Sequence, residues 1–211
     1  MDPVRDKTLE MSADSHASRV SNGVETRTIF FIGKPGCGKG DQAKLLSEKT
    51  GWRVITAGAQ FRAMSSEDTP VGRKMKIDND EGLLQPHWLA TYLFLKSLIS
   101  IGENESVIID GFCREVSEAQ IIADSLVWVE RPFSVLYLKV SDEEVTRRLA
   151  LRKGIEGRAD DSVVDERLKE YREHTEPVVE LFRDAGKLIE IDGERTREEI
   201  AVDIDVALGI K

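Results

Sequence analysis

The feature that most constrains this chain is a glycine-rich loop between a short apolar run and a helical pattern. The loop follows the apolar run 28–32 and reads GKPGCGKGDQ from Gly33 to Gln42. A strand, a loop with this glycine spacing and a helix form the context in which backbone N–H groups cradle phosphate oxygens. The loop therefore predicts a nucleoside triphosphate site. Its phosphate-facing residues are predicted to be Gly36, Cys37, Gly38, Lys39, Gly40 and Asp41.

Composition supports one enclosed core and argues against several classes of partner. The chain has 211 residues, of which 40% are hydrophobic, enough for a single well-buried domain. Its net charge of −9 argues against a sequence-independent grip on nucleic acid, which needs a basic surface. No run of about 18 apolar residues is present, so we expect no membrane span. The two cysteines, Cys37 and Cys113, are too few for a disulfide framework and favour a reducing, cytoplasmic setting.

Strand and helix patterns alternate along most of the chain. Residues 1–27 carry no such pattern and no signal-peptide core, so they are predicted to form a disordered N-terminal tail. Residues 28–211 are predicted to form one domain. Strands are predicted at 28–32, 52–56, 106–110, 133–140 and 188–191. Because these runs are short, rich in β-branched residues and continuously apolar, they indicate a doubly wound α/β fold with a five-stranded parallel sheet and helices on both faces.

Charged residues cluster where these strands are predicted to end. Asp110 closes the third strand, and Arg114 follows it in a loop facing the same crevice. Phosphoryl transfer needs a metal ion and cationic side chains around the phosphates, so Asp110 is a candidate for Mg²⁺, directly or through water, and Arg114 for a phosphate. Arg62, on the helix after Gly58, is a second candidate for an acceptor phosphate. A strand-capping aspartate with surface arginines is the structural alternative.

The densest basic segment of this acidic chain spans residues 147–161. It contains Arg148, Arg152 and Arg158 and ends in the acidic pair Asp160 and Asp161. The glycines and the acidic pair indicate a short movable loop that carries arginines towards a triphosphate and excludes water from the reaction. A solvated helix face is the alternative. One helical run later, Arg167 could face the same pocket.

Four motifs in order resemble the adenylate kinase family of nucleoside monophosphate kinases, in its short-lid form. They are Gly-Lys-Gly-x-Gln at 38–42, Asp-Gly-Phe-x-Arg at 110–114, Gly-Arg-x-Asp-Asp at 157–161, and Arg-Leu-x-x-Tyr-x-x-x-Thr-x-Pro at 167–177. The resemblance implies Mg²⁺-dependent, reversible phosphoryl transfer from ATP to a nucleoside monophosphate. It also implies an acceptor-site subdomain at about 57–85, a lid at about 152–162 and a monomeric enzyme.

The resemblance assigns a role to each candidate residue. Donor and transferred phosphates would be held by Lys39, Arg152, Arg158 and Arg167, and Arg148 would stack on the donor base. Asp110 would position Mg²⁺ through its water shell, since Gly40 lacks the usual hydroxyl ligand, and Asp160 and Asp161 would hold the lid arginines. The nucleoside monophosphate would be bound by Ala57, Gly58, Arg62, Gly111, Arg114 and Glu118.

Several positions depart from the family pattern and leave the acceptor open. Asp41 replaces a threonine beside the donor phosphates, and Cys113 replaces a proline before Arg114. Ala57 resembles the UMP/CMP kinases. Glu118 stands where an adenine-reading glutamine is expected, and a carboxylate suits guanine at least as well. We rank AMP first, then UMP or CMP, then GMP. The alternatives from other classes are a nucleotide-binding protein with little turnover and a P-loop kinase of a small metabolite.

Overall fold

The computed structural model describes residues 20–21, 24–25, 27–81, 83, 85–153 and 164–210. Within them, the strands are β1 (Val20–Ser21), β2 (Val24–Glu25), β3 (Thr28–Gly33), β4 (Arg53–Thr56), β5 (Val107–Asp110), β6 (Phe133–Lys139) and β7 (Leu188–Asp192). The helices are α1 (Lys39–Thr50), α2 (Ala57–Ser65), α3 (Pro70–Asp80), α4 (His87–Ile99), α5 (Val116–Trp128), α6 (Asp142–Lys153), α7 (Val164–Glu170), α8 (Glu176–Asp184) and α9 (Arg197–Leu208). A π-helical segment, Tyr171–Thr175, joins α7 to α8.

The main sheet of the described residues has five parallel strands in the order β4-β5-β3-β6-β7. The phosphate-loop strand β3 is central, with Phe31 opposite Asp110 of β5 on one side and Leu136 of β6 on the other. On the far side of β5, Thr56 ends β4 opposite Asp110. The predicted parallel α/β sheet is confirmed, and its carboxyl edge brings the ends of β3, β4 and β5 together.

The core lies in two layers, one on each face of this sheet. Alternate residues of β3 point to opposite faces because side chains alternate along a strand. Phe30 and Ile32 pack with buried residues of α4, α5 and α8. Ile29 and Phe31 pack with buried residues of α1, α6 and α9. Helices therefore cover both faces, as the continuously apolar strands predict.

Polar side chains fix the starts of several helices that border the crevice. The Thr56 hydroxyl accepts a hydrogen bond from the Ala59 amide, so α2 begins immediately after β4. Thr69 caps α3 in the same way through Gly72. A full capping box between Thr196 and Glu199 starts α9. These caps place α2 and α3 as a helical pair beside the end of β4.

The described part of the N-terminal segment contains two short strands, and the disorder expected for residues 1–27 stays a prediction. Within the residues that the structure describes, β1 and β2 pair antiparallel, with Val20 opposite Glu25. Residues 1–19 lie outside the described part of the chain. None of the helices in the described ranges is both long and apolar enough to cross a lipid bilayer.

Candidate active site

The glycine-rich loop links the end of β3 to the start of α1 at the centre of the sheet. Gly36 and Gly38 adopt left-handed backbone conformations, with φ of 78° and 97°, which glycine tolerates best. Gly38 is the N-terminal cap of α1, so the amides of the first helical turn open towards the loop. The Lys39 ammonium donates hydrogen bonds to the Gly33 and Lys34 carbonyls, at 2.6 and 2.8 Å. A full positive charge thus lies inside the loop, next to the helix amides.

Arg148 links this loop to two other segments. Its guanidinium donates to the Cys37 carbonyl at 3.2 Å and to the Gly193 carbonyl, after β7, at 2.8 Å. Its Nε donates to Glu144 at 2.6 Å. Hydrogen bonds from Arg147 and Arg148 lower the pKa of Glu144 to about 2, so this carboxylate stays charged at neutral pH. The predicted base-stacking residue therefore lies at the rim of the phosphate loop in a held position.

A second ion-pair network holds the same loop from the side of α6. The Lys34 ammonium lies 2.5 Å from Asp142, which also pairs with Arg172 of the π-helical segment. Hydrogen bonds from Lys34 and Arg172 lower the pKa of Asp142. The sequence motifs predict no role for Lys34, because the glycine spacing of the loop does not indicate which residue a lysine at this position contacts. Through Asp142, the phosphate loop is tied to the segment that follows α7.

Asp110 ends β5 beside the first turn of α1. A side-chain carbon added at Gly40 would lie 3.9 Å from Asp110 Oδ2, so the carboxylate faces the backbone of Gly40. Glycine at position 40 places no side-chain atom between the first turn of α1 and this carboxylate. The donor set, a carboxylate next to a phosphate-binding loop, suits Mg²⁺, which keeps several waters in such sites.

The candidate acceptor-site residues meet at the ends of β4 and β5. A side-chain carbon added at Gly111 would lie 3.4 Å from Ala57 Cβ and 3.5 Å from Arg114 Nη2. One added at Gly58 would lie 3.1 Å from Arg62 Nη1. Arg62 therefore lies against Gly58, and Arg114 lies against Gly111, with Ala57 next to both glycines.

Arg114 is fixed at its side chain and at its backbone. Its Nε donates to the Gly111 carbonyl at 3.1 Å. Its own carbonyl accepts a hydrogen bond from the Thr175 hydroxyl, at 3.0 Å, at the end of the π-helical segment. Thr175 belongs to the fourth motif, but its spacing alone gave no role, since the contact spans residues far apart in the chain. This hydroxyl is a supporting residue that sequence reasoning missed.

Glu118 is buried, with 2% of its surface exposed. Its two oxygens accept hydrogen bonds from the amides of Cys113 and Arg114, at 2.8 and 3.0 Å. Burial raises its pKa, and these two hydrogen bonds act in the opposite direction. The carboxylate, predicted to meet the acceptor base, is directed at the loop that carries Arg114.

The remaining candidates are placed only in part. Asp41 is exposed in the first turn of α1, and Arg167 is partly buried in α7. The Arg152 side chain, Arg158, Asp160 and Asp161 lie outside the described residues, as does most of the predicted lid. The described part of the candidate site therefore consists of the glycine-rich loop, Asp110 and the candidate acceptor-site residues.

Comparison with known proteins gives consistent matches over most of the chain. The sequence model of the adenylate kinase family matches residues 31–187. An adenylate kinase of Thermus thermophilus is 35% identical over 187 residues, covering 87% of this chain and 98% of the relative. An adenylate kinase of Prochlorococcus marinus is 34% identical over 185 residues, covering 86% and 97%. Adenylate kinase 1 of a Nostoc species is 33% identical over 184 residues, covering 86% and 98%.

Proposed function

The chain belongs to the adenylate kinase family, and we propose that it transfers the γ-phosphoryl group of ATP to AMP, forming two molecules of ADP. It is thus an enzyme of the nucleoside monophosphate kinase class. The observation that carries the proposal is the position of the cationic phosphate loop and of an arginine-lined acceptor side at the same edge of the sheet. That arrangement suits two phosphate-bearing substrates that approach each other over Asp110.

On the donor side, the chain provides fixed charge and backbone donors. The amides of the loop and of the first turn of α1 would bind the β- and γ-phosphates of ATP, with Lys39 adding a full positive charge. Arg148 is held at the loop rim by Glu144 and two carbonyls, and from there it would contact the donor nucleotide. These groups are ordered by the protein itself, so little reorganisation is needed when charge develops in the transition state.

Asp110 is the candidate residue for a magnesium ion on this donor side. It would hold Mg²⁺ through the water shell of the ion, and the bound ion would supply positive charge that offsets the charge developing on the phosphates. Gly40 keeps the space beside the carboxylate open for that water shell. Asp110 acts by holding and orienting the hydrated ion rather than by exchanging a proton.

On the acceptor side, Arg62 and Arg114 would bind the phosphate of AMP and hold one of its oxygens in line with the γ-phosphorus. A bond then forms between that oxygen and the γ-phosphorus, and the bond to the β-bridging oxygen breaks, releasing ADP. No covalent intermediate with the protein is needed, because positioning and charge stabilisation carry the reaction. The departures at Ala57 and Glu118 lie on this side, so the choice of acceptor is the part that the experiment must measure.

The test is a coupled assay of diphosphate formation from ATP and Mg²⁺ with AMP, UMP, CMP and GMP in parallel. We expect turnover with AMP that falls on the order of a hundredfold or more in Arg114→Ala, since a charged donor to the transition state is lost. The matched control is Arg183→Ala, because Arg183 is an exposed arginine of α8 that pairs with Glu180 and Glu190. This variant is expected to keep normal turnover. Faster turnover with a pyrimidine nucleotide would reassign the acceptor. ATP binding without turnover on any acceptor would overturn the kinase function.

A further inference from the structure

The loop between β5 and α5 has an unusual backbone at Cys113. This residue has a φ of 58°, in the left-handed region that non-glycine residues rarely adopt. The conformation turns two successive amides, of Cys113 and Arg114, towards the same side. Both amides donate to the one carboxylate of Glu118, which is almost fully buried. Two consecutive N–H groups thus form a small anion site that the chain fills with its own side chain.

From this geometry we propose that Glu118 is a positioning residue that aims Arg114 at the acceptor phosphate, rather than a reader of the acceptor base. The inference rests on the proposed function, which assigns the acceptor phosphate to Arg114. Glu118 holds the Arg114 amide, Thr175 holds its carbonyl, and the Gly111 carbonyl holds its Nε. Arg114 is therefore anchored before the acceptor binds, at two points of its backbone and at one nitrogen of its guanidinium.

We call the two hydrogen bonds from the Cys113 and Arg114 amides to the Glu118 carboxylate the clamp. The clamp needs a carboxylate at position 118. An ionised glutamate offers two acceptor oxygens, one for each amide, whereas glutamine offers one oxygen and a donor NH₂ group. A glutamine would leave one of the two loop amides facing another donor in a buried position, which is strongly unfavourable. The two amides thus explain why this chain carries a glutamate at position 118, with no need for a nucleotide base as its partner.

The clamp also needs a residue other than proline at position 113. Proline has no N–H to donate, and its ring fixes φ near −65°, so it would remove one hydrogen bond and forbid the observed turn. The Cys113 thiol itself is fully buried, and burial raises its pKa well above the ordinary value, so it is not a reactive thiolate at neutral pH. What position 113 contributes is its backbone amide.

The experiment compares four single variants of the full chain under initial-rate conditions, varying AMP at saturating ATP and then ATP at saturating AMP. Glu118→Gln and Cys113→Pro each remove at least one of the two hydrogen bonds of the clamp. Cys113→Ala keeps the amide and is the matched control for the cysteine. Glu198→Gln, an exposed residue in the first turn of α9, is the control for removing a glutamate charge.

We expect Glu118→Gln and Cys113→Pro to raise the KM for AMP on the order of tenfold or more, because the aim of Arg114 is lost, while the KM for ATP changes less than twofold. The double variant Glu118→Gln/Cys113→Pro, made in addition, is expected to have a KM for AMP no higher than that of Cys113→Pro alone, since both changes break the same pair of hydrogen bonds. Both controls behave as the unmodified enzyme. Normal AMP kinetics in Glu118→Gln, or an equal loss in Cys113→Ala, would overturn the proposal.

A readout independent of activity separates this proposal from the proposed function. In ¹H–¹⁵N spectra, the amides of Cys113 and Arg114 are expected to resonate far downfield in the unmodified protein, as charge-assisted hydrogen bonds are short and strong. They move upfield in Glu118→Gln. If the chain turns over no nucleotide but shows these resonances, the kinase function fails and the clamp stands. Ordinary shifts for both amides in the unmodified protein refute the clamp even if Glu118→Gln does not fold.

Discussion

Replacing Gly72 with alanine tests how tightly the helical pair α2 and α3 is packed. Gly72 lies in the first turn of α3, and its amide donates to the Thr69 hydroxyl. An added side-chain carbon would overlap the Glu67 carbonyl oxygen and lie 2.7 Å from that of Met64. Met64 lies in the last turn of α2 and Glu67 in the turn that follows it, and both atoms belong to the backbone, so no side-chain rotation relieves the overlap.

Two effects of opposite sign set the magnitude. Overpacking of this kind costs up to about 3 kcal/mol, whereas alanine is favoured over glycine inside a helix by up to about 1 kcal/mol. The clash with backbone atoms dominates, so we expect Gly72→Ala to lower the free energy of unfolding by about 2 kcal/mol. For a chain of this size that is a decrease in Tm of about 4–8 °C. The displaced α2 also carries Arg62, so the KM for AMP rises as well.

Thermal unfolding followed by circular dichroism and initial rates with varied AMP measure both effects. Gly102→Ala is the control, because the added carbon meets only the flexible Glu105 side chain, at 3.7 Å. We expect that control to unfold at the Tm of the unmodified protein. The reasoning is refuted if Gly72→Ala matches Gly102→Ala in Tm and in KM for AMP.

Two further predictions concern the donor side. In Gly36→Ala, the new alanine would have a strained left-handed backbone, and its added carbon would lie 2.7 Å from Leu149 Cγ. Initial-rate kinetics should therefore show a raised KM for ATP and an unchanged KM for AMP. Gly51→Ala is the control for backbone strain alone, because Gly51 has a similar φ and no neighbour within 4 Å of the added carbon. Glu144 has a pKa lowered from 4.5 to about 2, so its stabilising contribution is complete above pH 4.5 and is lost as the pH falls towards 2. The difference in Tm between the unmodified protein and Glu144→Gln should therefore narrow below pH 4.5, and a pH-independent difference would contradict this.

The sheet and the donor loop were readable from the sequence because each follows from local pattern. Continuously apolar runs mark buried parallel strands, and β3, β5 and β6 lie within a residue or two of their predicted bounds. The glycine spacing between β3 and α1 likewise determines a loop whose amides face one point. Such features depend on residues that are close together in the chain, so they can be predicted from periodicity and composition.

The arrangement of the acceptor-side residues was harder to predict from the sequence, because it is determined by contacts between residues far apart in the chain. The hydrogen bond from the Thr175 hydroxyl, at the end of the π-helical segment, to the Arg114 carbonyl joins residues 61 positions apart, and no local sequence pattern indicates it. The hydrogen-bond partners of Glu118 are determined by the positive φ of Cys113, and a cysteine in the sequence does not predict a positive φ. Helical periodicity places the carboxylate on α5, and only the loop conformation determines which groups it binds.

The central place of β3 in the sheet has a consequence for synthesis of the chain. β3 is the first strand of that sheet to be made, yet in the described residues its partners are β5 and β6. The amide of Arg27, just before β3, donates to the hydroxyl of Ser106, which is 79 residues later. At about 5–20 residues per second, the growing chain carries β3 for about 4–16 s before its first partner exists. During that interval an apolar strand has both edges open, so the nascent protein is most prone to aggregate before β5 emerges.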